Sequence, residues 1–105
     1  MNKQRRKDLT SVVNDLKDQR STIEDVVDSI DMIITNVDMV ADEEQWSFDG
    51  MPEGLQCSER GAQLEENASD LYDISSDVDM LKDVLSDACE RIDNINEKIE
   101  DIIKR

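Results

Sequence analysis

The sequence predicts an all-α protein: an antiparallel two-helix hairpin of coiled-coil type, dimerising into an elongated four-helix bundle. Three observations predict it. Apolar residues recur at alternating three- and four-residue spacing through two long stretches. All three glycines and the single proline fall together between residues 50 and 61. Aromatic residues make up 3% of the chain and charged residues 37%, too little bulk for a conventional core but ordinary for paired helices. A chain of 105 residues allows a single domain, 1–105. So much charge also suits disorder, but the regular period argues against it.

The first helix is expected over residues 3–48. With Leu9 at heptad position a, Leu16, Ile23, Ile30 and Val37 follow at a. Val12, Val26, Ile33 and Val40 then fall at d, and Val13, Val27, Ile34 and Ala41 at e. This is a three-row stripe, broader than a two-row seam. It lapses at Gln19-Arg20, where Ser21-Thr22-Ile23-Glu24 matches a capping box. Either a polar layer interrupts one continuous helix or the helix restarts there; the unchanged heptad phase favours continuity.

The hinge is residues 49–58. Gly50 suits the left-handed conformation that closes a helix, and Met51-Pro52 follows where a helix cannot continue. A turn of helix is expected inside Pro52 to Gln56. Ser58 is positioned to cap the second helix, with Glu59 favourable in its first turn. Asp49 and Gln56 are alternative caps for short pieces.

The second helix is expected over residues 58–104. Leu64, Leu71, Val78, Leu85, Ile92 and Ile99 occupy a; Ile74, Leu81, Ala88, Ile95 and Ile102 occupy d. The spacing holds without a slip from Leu71 to Ile102. Folding at the hinge pairs residues whose numbers total roughly 105, placing Ile30 by Ile74, Ile23 by Leu81 and Leu16 by Ala88. Arg5, Arg6 and Lys7 would then lie near Glu97, Glu100 and Asp101. One hairpin buries one seam and leaves the e row wet. Self-association through Val13, Val27, Ile34 and Ala41 is therefore expected, the alternative being a monomer that offers this row to a foreign partner.

Charge is uneven. Residues 1–20 carry six basic and three acidic side chains, residues 21–80 one basic (Arg60) and seventeen acidic, and residues 81–105 five basic and seven acidic. In a hairpin the hinge half becomes almost purely acidic, with roughly one net charge per 3 Å, or one per ~1.5 Å for a side-by-side dimer, near the ~1.7 Å of duplex DNA. Such a field competes with nucleic acid for a basic groove. The plainer reading is a solvated face that keeps a coiled coil soluble. Met32, Met39 and Trp46 form a further row at c, with Phe48 and Met51 beyond it. This row is either a partner anchor or, with Trp46 and Phe48 covering Leu55, part of the hinge and dimer packing.

Other chemistry is set aside. Cys57 and Cys89 are too far apart along straight helices to pair, and read as free thiols. The chain has no histidine and no close cysteine pair, so no metal site is expected. Glu90-x-x-Asp93 and Glu97-x-x-Glu100 resemble the magnesium carboxylates of all-helical pyrophosphohydrolases, but their heptad positions face water. No phosphate-binding glycine loop or nucleophile–base pair is evident, so no enzyme and no cofactor are expected. The basic N-terminus is too short to read as a nucleic-acid site. No apolar run reaches the ~20 residues that span a bilayer, and no apolar stretch follows basic Met1–Lys7 as in a secretory signal. A cytoplasmic protein is expected.

The run Asp42-Glu43-Glu44-Gln45-Trp46-Ser47-Phe48-Asp49-Gly50-Met51-Pro52-Glu53-Gly54-Leu55-Gln56-Cys57-Ser58-Glu59-Arg60-Gly61 resembles the hinge of small acidic helical proteins of phages and prophages of Gram-positive bacteria. The elements carrying it are Asp42 to Gln45, Met51-Pro52-Glu53, Leu55-Gln56 and Ser58 to Gly61; the flanking helices agree in character alone. The resemblance implies a hairpin, a phage setting and the cytoplasm of a host bacterial cell. By analogy of class, such proteins include anti-CRISPR inhibitors that occupy DNA-binding grooves.

The function expected is therefore a non-enzymatic phage inhibitor of a host nucleic-acid-binding defence protein, acting as a DNA mimic. The alternative is a structural coiled-coil accessory of phage assembly or replication. The partner expected is a host protein with a basic groove, without direct nucleic-acid or membrane binding. The residues expected to meet it are Asp38, Asp42, Glu43, Glu44, Trp46, Asp49, Glu53, Glu59, Glu65, Glu66, Asp70 and Asp73.

Overall fold

A computed structural model describes residues 1–105. It contains three helices and no strand: α1 over Lys3–Asp49, α2 over Glu53–Gln56 and α3 over Glu59–Lys104. Asn2 starts α1, its Oδ1 accepting the Arg5 N–H at 2.8 Å in the geometry of an N-cap. α1 then runs unbroken past Gln19-Arg20. The capping-box residues do not start a new helix; Thr22 Oγ1 instead donates to the Asp18 carbonyl at 3.1 Å, one turn back.

The hinge works differently from the glycine cap expected at Gly50. No glycine has positive φ. The Gly50 N–H still reaches the Trp46 carbonyl at 2.9 Å, and the Met51 N–H tightens onto Phe48 at 3.0 Å. Termination falls to Pro52, which has no N–H to continue the ladder and sits extended at φ −55, ψ 142. Ser58 caps α3, its Oγ accepting the Gly61 N–H at 3.2 Å while donating to the Leu55 carbonyl. Gly61 is required by close approach: a Cβ there would meet the Gln56 carbonyl oxygen and come within 2.7 Å of the Leu55 carbonyl oxygen. Gln56 Nε2 donates to the Phe48 carbonyl at 3.1 Å, holding the end of α1 to the turn.

The chain divides into two compact units, one of residues 1–28 with 82–105, the other of residues 29–81. In each, α1 and α3 run antiparallel. The first unit buries Val13, Cys89 and Asn96; the second buries Ile30, Ala41, Ala68 and Ser75. Both seams use rows a and e. The e row on α1 (Val13, Val27, Ile34, Ala41), expected to face a second copy, is turned inward: Val13 is 4% exposed, Ala41 not at all, and the other two are half-buried. The d rows, expected in the seam, stand open, with Ile33 48% and Leu81 51% exposed. The α3 residues taken inward are small or polar (Ala68, Ser75, Cys89, Asn96), which lets the helices approach closely.

The register also differs. Numbers totalling 105 would set Leu85 beside Arg20; the structure sets Cys89 there, its Sγ 3.9 Å from the Arg20 carbonyl oxygen. Ile30 and Ala41 are accordingly buried without the partners assigned by that count, and the basic start of α1 misses its expected acids. Lys17 pairs with Glu100 at 3.9 Å, two to three turns beyond Arg5, Arg6 and Lys7. Two causes combine. α1 ends at Asp49 and α3 begins at Glu59, which shifts the pairing by about a turn. Side chains on both helices also lean toward their own N-termini, so long side chains meet later in sequence than their backbones do.

Candidate functional site

In the second unit the sequence places fourteen acidic side chains and a single basic one, Arg60. Helical geometry decides where they go. The a and e rows are taken by the seam, so the acids fall on the remaining positions and reach solvent. Glu43, Asp49, Glu53, Glu59, Glu65, Glu66, Asp70 and Asp73 are exposed; Asp38, Asp42 and Glu44 are partly covered.

The partly covered ones are tied across the helix pair. Asn67 Nδ2 donates to Glu44 Oε2 at 3.0 Å. The Tyr72 hydroxyl donates to Asp42 Oδ1 at 2.6 Å. That bond holds the Tyr72 proton and pushes its pKa above the ordinary tyrosine value, with burial and the negative charges of Asp42, Asp38 and Asp49 acting in the same direction. Neither Asn67 nor Tyr72 was evident as a site residue in the sequence, since both are identified by a cross-helix register that numbering alone misjudges. Elsewhere the acids are held locally: Gln45 Nε2 donates to Asp49 Oδ1 at 3.0 Å along α1.

Trp46 is 67% exposed and Met32 70%, so the c row is open to solvent and does not cover the hinge. Leu55 stands open as well. Thr35, Asp38, Met39, Asp42 and Trp46 line one shallow hollow on α1. It joins an indole face to two carboxylates, a combination suited to a guanidinium or ammonium group.

The first unit has a different character. Arg20 is inserted into the seam and pairs with Asp93 and Glu24. Cys89 is buried and Cys57 exposed, both as free thiols. No group of three His, Cys, Asp or Glu side chains is placed to hold a metal ion. No helix is long and apolar enough to cross a membrane. Compared with protein-family models, curated proteins and solved structures, the chain matches none.

Proposed function

We propose that the chain is a phage-encoded, non-enzymatic inhibitor that occupies the basic nucleic-acid groove of a host defence protein, a CRISPR effector being the case to which the hinge resemblance points. The observation carrying this reading is the second unit's charge: fourteen acids against Arg60, with eight of the named carboxylate residues exposed. Helix segments of this length span ~33 Å, so the net charge averages about one per 2.5 Å along the unit. Duplex DNA carries about one per 1.7 Å, and a second copy alongside would bring the protein past that density. A homodimer acting in the host cytoplasm is part of the reading. Asp38, Asp42, Glu43, Glu44, Asp49, Glu53, Glu59, Glu65, Glu66, Asp70 and Asp73 meet the groove's lysines and arginines, and Trp46 anchors beside them.

The test is cleavage of target DNA by a guide-loaded CRISPR effector with the protein added. Dose-dependent protection that vanishes when Glu43, Glu44, Glu65 and Glu66 are replaced by Lys supports the reading. Undiminished cleavage, or protection by the replaced protein, rejects it.

A second reading, a coiled-coil accessory of phage assembly or replication, draws on a different observation: apolar side chains such as Met32, Met39 and Trp46 remain open. It predicts that charge reversals matter little, while a polar substitution at buried Ile30 abolishes activity.

A further inference from the structure

Each unit buries the less apolar of two neighbouring rows on α3. In the first unit Cys89 and Asn96 lie inside while Ile95, one residue before Asn96, is 46% exposed. In the second unit Ser75 lies inside while Ile74, one residue before it, is 48% exposed. The corresponding d row on α1 is equally open, through Val12 and Val26 in the first unit and Ile33 and Val40 in the second. Burying an aliphatic side chain is worth ~1.5–3 kcal/mol, so a lone chain leaves its better apolar rows in water.

The two open rows share a face. On both helices the d row lies on the same rotational side of the seam when viewed from that helix's N-terminus. Because the helices are antiparallel, equal rotations in opposite viewing senses bring both rows to one side of the pair. Row a, between d and e, then points obliquely toward that side, as the innermost row of a four-helix bundle does. Seven half-exposed aliphatic side chains offer roughly 500 Å² per copy before flanking residues are counted, approaching the ~800 Å² per partner of a stable complex.

The charges bordering this face in the first unit select the occupant. Outside the open row of α1 lie Asp8 and Asp15; outside that of α3 lie Arg91, Lys98 and Arg105. Within the chain, Arg91, Lys98 and Arg105 make no ion pair. The Arg20–Asp93 pair fixes the local level of α1 against α3. At that level, a second copy laid face to face, with its α3 antiparallel on this α1, brings its Lys98 beside Asp15 and its Arg105 beside Asp8. Two-fold symmetry repeats both pairs.

We infer that the d rows are the surface on which a second copy of this chain docks, with α1 of each copy against α3 of the other and Asp15–Lys98 and Asp8–Arg105 as ion pairs between copies. This rests on the homodimer included in the proposed function and names its surface and polarity.

The experiment is sedimentation equilibrium on the full chain and on Asp15→Lys, Lys98→Asp and the double variant, with helicity followed by circular dichroism. Both positions are exposed, so folding is retained. The wild type should be a dimer. Each single variant should weaken association about tenfold, through two lost pairs and two repulsions, and the double variant should restore it. A monomeric wild type overturns the homodimer itself. A dimer indifferent to the single variants, or one that the double variant fails to restore, overturns this face and polarity while leaving the homodimer standing.

Discussion

Arg20 on α1 meets Asp93 on α3 edge to edge, its Nη2 donating to Oδ2 at 3.1 Å while Nε sits 2.7 Å from Oδ1, out of line for a hydrogen bond. The guanidinium occupies a seam position that on every neighbouring turn of α1 is aliphatic. The sequence lapse at Gln19-Arg20 is therefore a polar layer inside one continuous helix.

That layer sets register more than stability. Both partners keep substantial solvent contact, so the pair contributes on the order of 1 kcal/mol or less. Asp93→Asn should lower the thermal midpoint by only a few degrees. Arg20→Leu, which replaces the charge with an apolar group in the seam, should leave it unchanged or higher. Thermal unfolding followed by circular dichroism reads both; a collapse of helicity in either would show that the pair carries much more.

Asn96 is a second polar intrusion. Its Oδ1 is buried without a hydrogen-bond partner, a cost of ~1–3 kcal/mol. Asn96→Val should therefore raise the unfolding free energy by about 1 kcal/mol or more in urea titration. A loss of stability would mean that the amide is satisfied in solution.

At the turn, Gly61 and Gly54 provide a matched pair. Gly61→Ala forces a methyl group against two backbone carbonyl oxygens and should cost ~1–3 kcal/mol. Gly54→Ala meets nothing within 4 Å and should be neutral or slightly stabilising. Equal effects of the two substitutions in denaturant unfolding would contradict the close approach of α3 to the turn.

Tyr72 is the only tyrosine, so its titration can be followed directly. Its pKa is raised, chiefly by the hydrogen bond to Asp42, so the folded chain holds the phenolic proton more tightly than the unfolded chain. The stabilising contribution is complete below the free-tyrosine pKa of about 10 and is lost as pH climbs through the shifted value. Tyrosinate absorbance should appear later than in a free peptide, and Asp42→Asn should move it earlier. Titration unaffected by that substitution would contradict the cross-helix bond.

How much of this was legible in the sequence depends on the element. The break at Met51-Pro52 and the Ser58 cap follow from local chemistry that any context preserves. The choice of seam does not. On α1 the d and e rows flank a with nearly equal apolarity, so hydrophobicity cannot choose between them. On α3 the more apolar d row looks like the seam, yet the pair closes on the small e row, where Ala68 and Ser75 permit close approach. The acids of the second unit were legible from composition, because their positions follow once the seam is taken. The Tyr72–Asp42 and Asn67–Glu44 bonds were not, since they depend on register, and register depends on how many residues the turn consumes.

The central claim is that the acidic unit competes with DNA, and displacement of a labelled duplex from a guide-loaded CRISPR effector tests it most directly. Fluorescence anisotropy should show the wild-type chain releasing the duplex at low salt, with release fading as salt rises. The Glu43, Glu44, Glu65 and Glu66 to Lys variant should release none while keeping its helicity. A duplex that stays bound at every salt concentration, or a variant that displaces it as well as the wild type, would contradict the account.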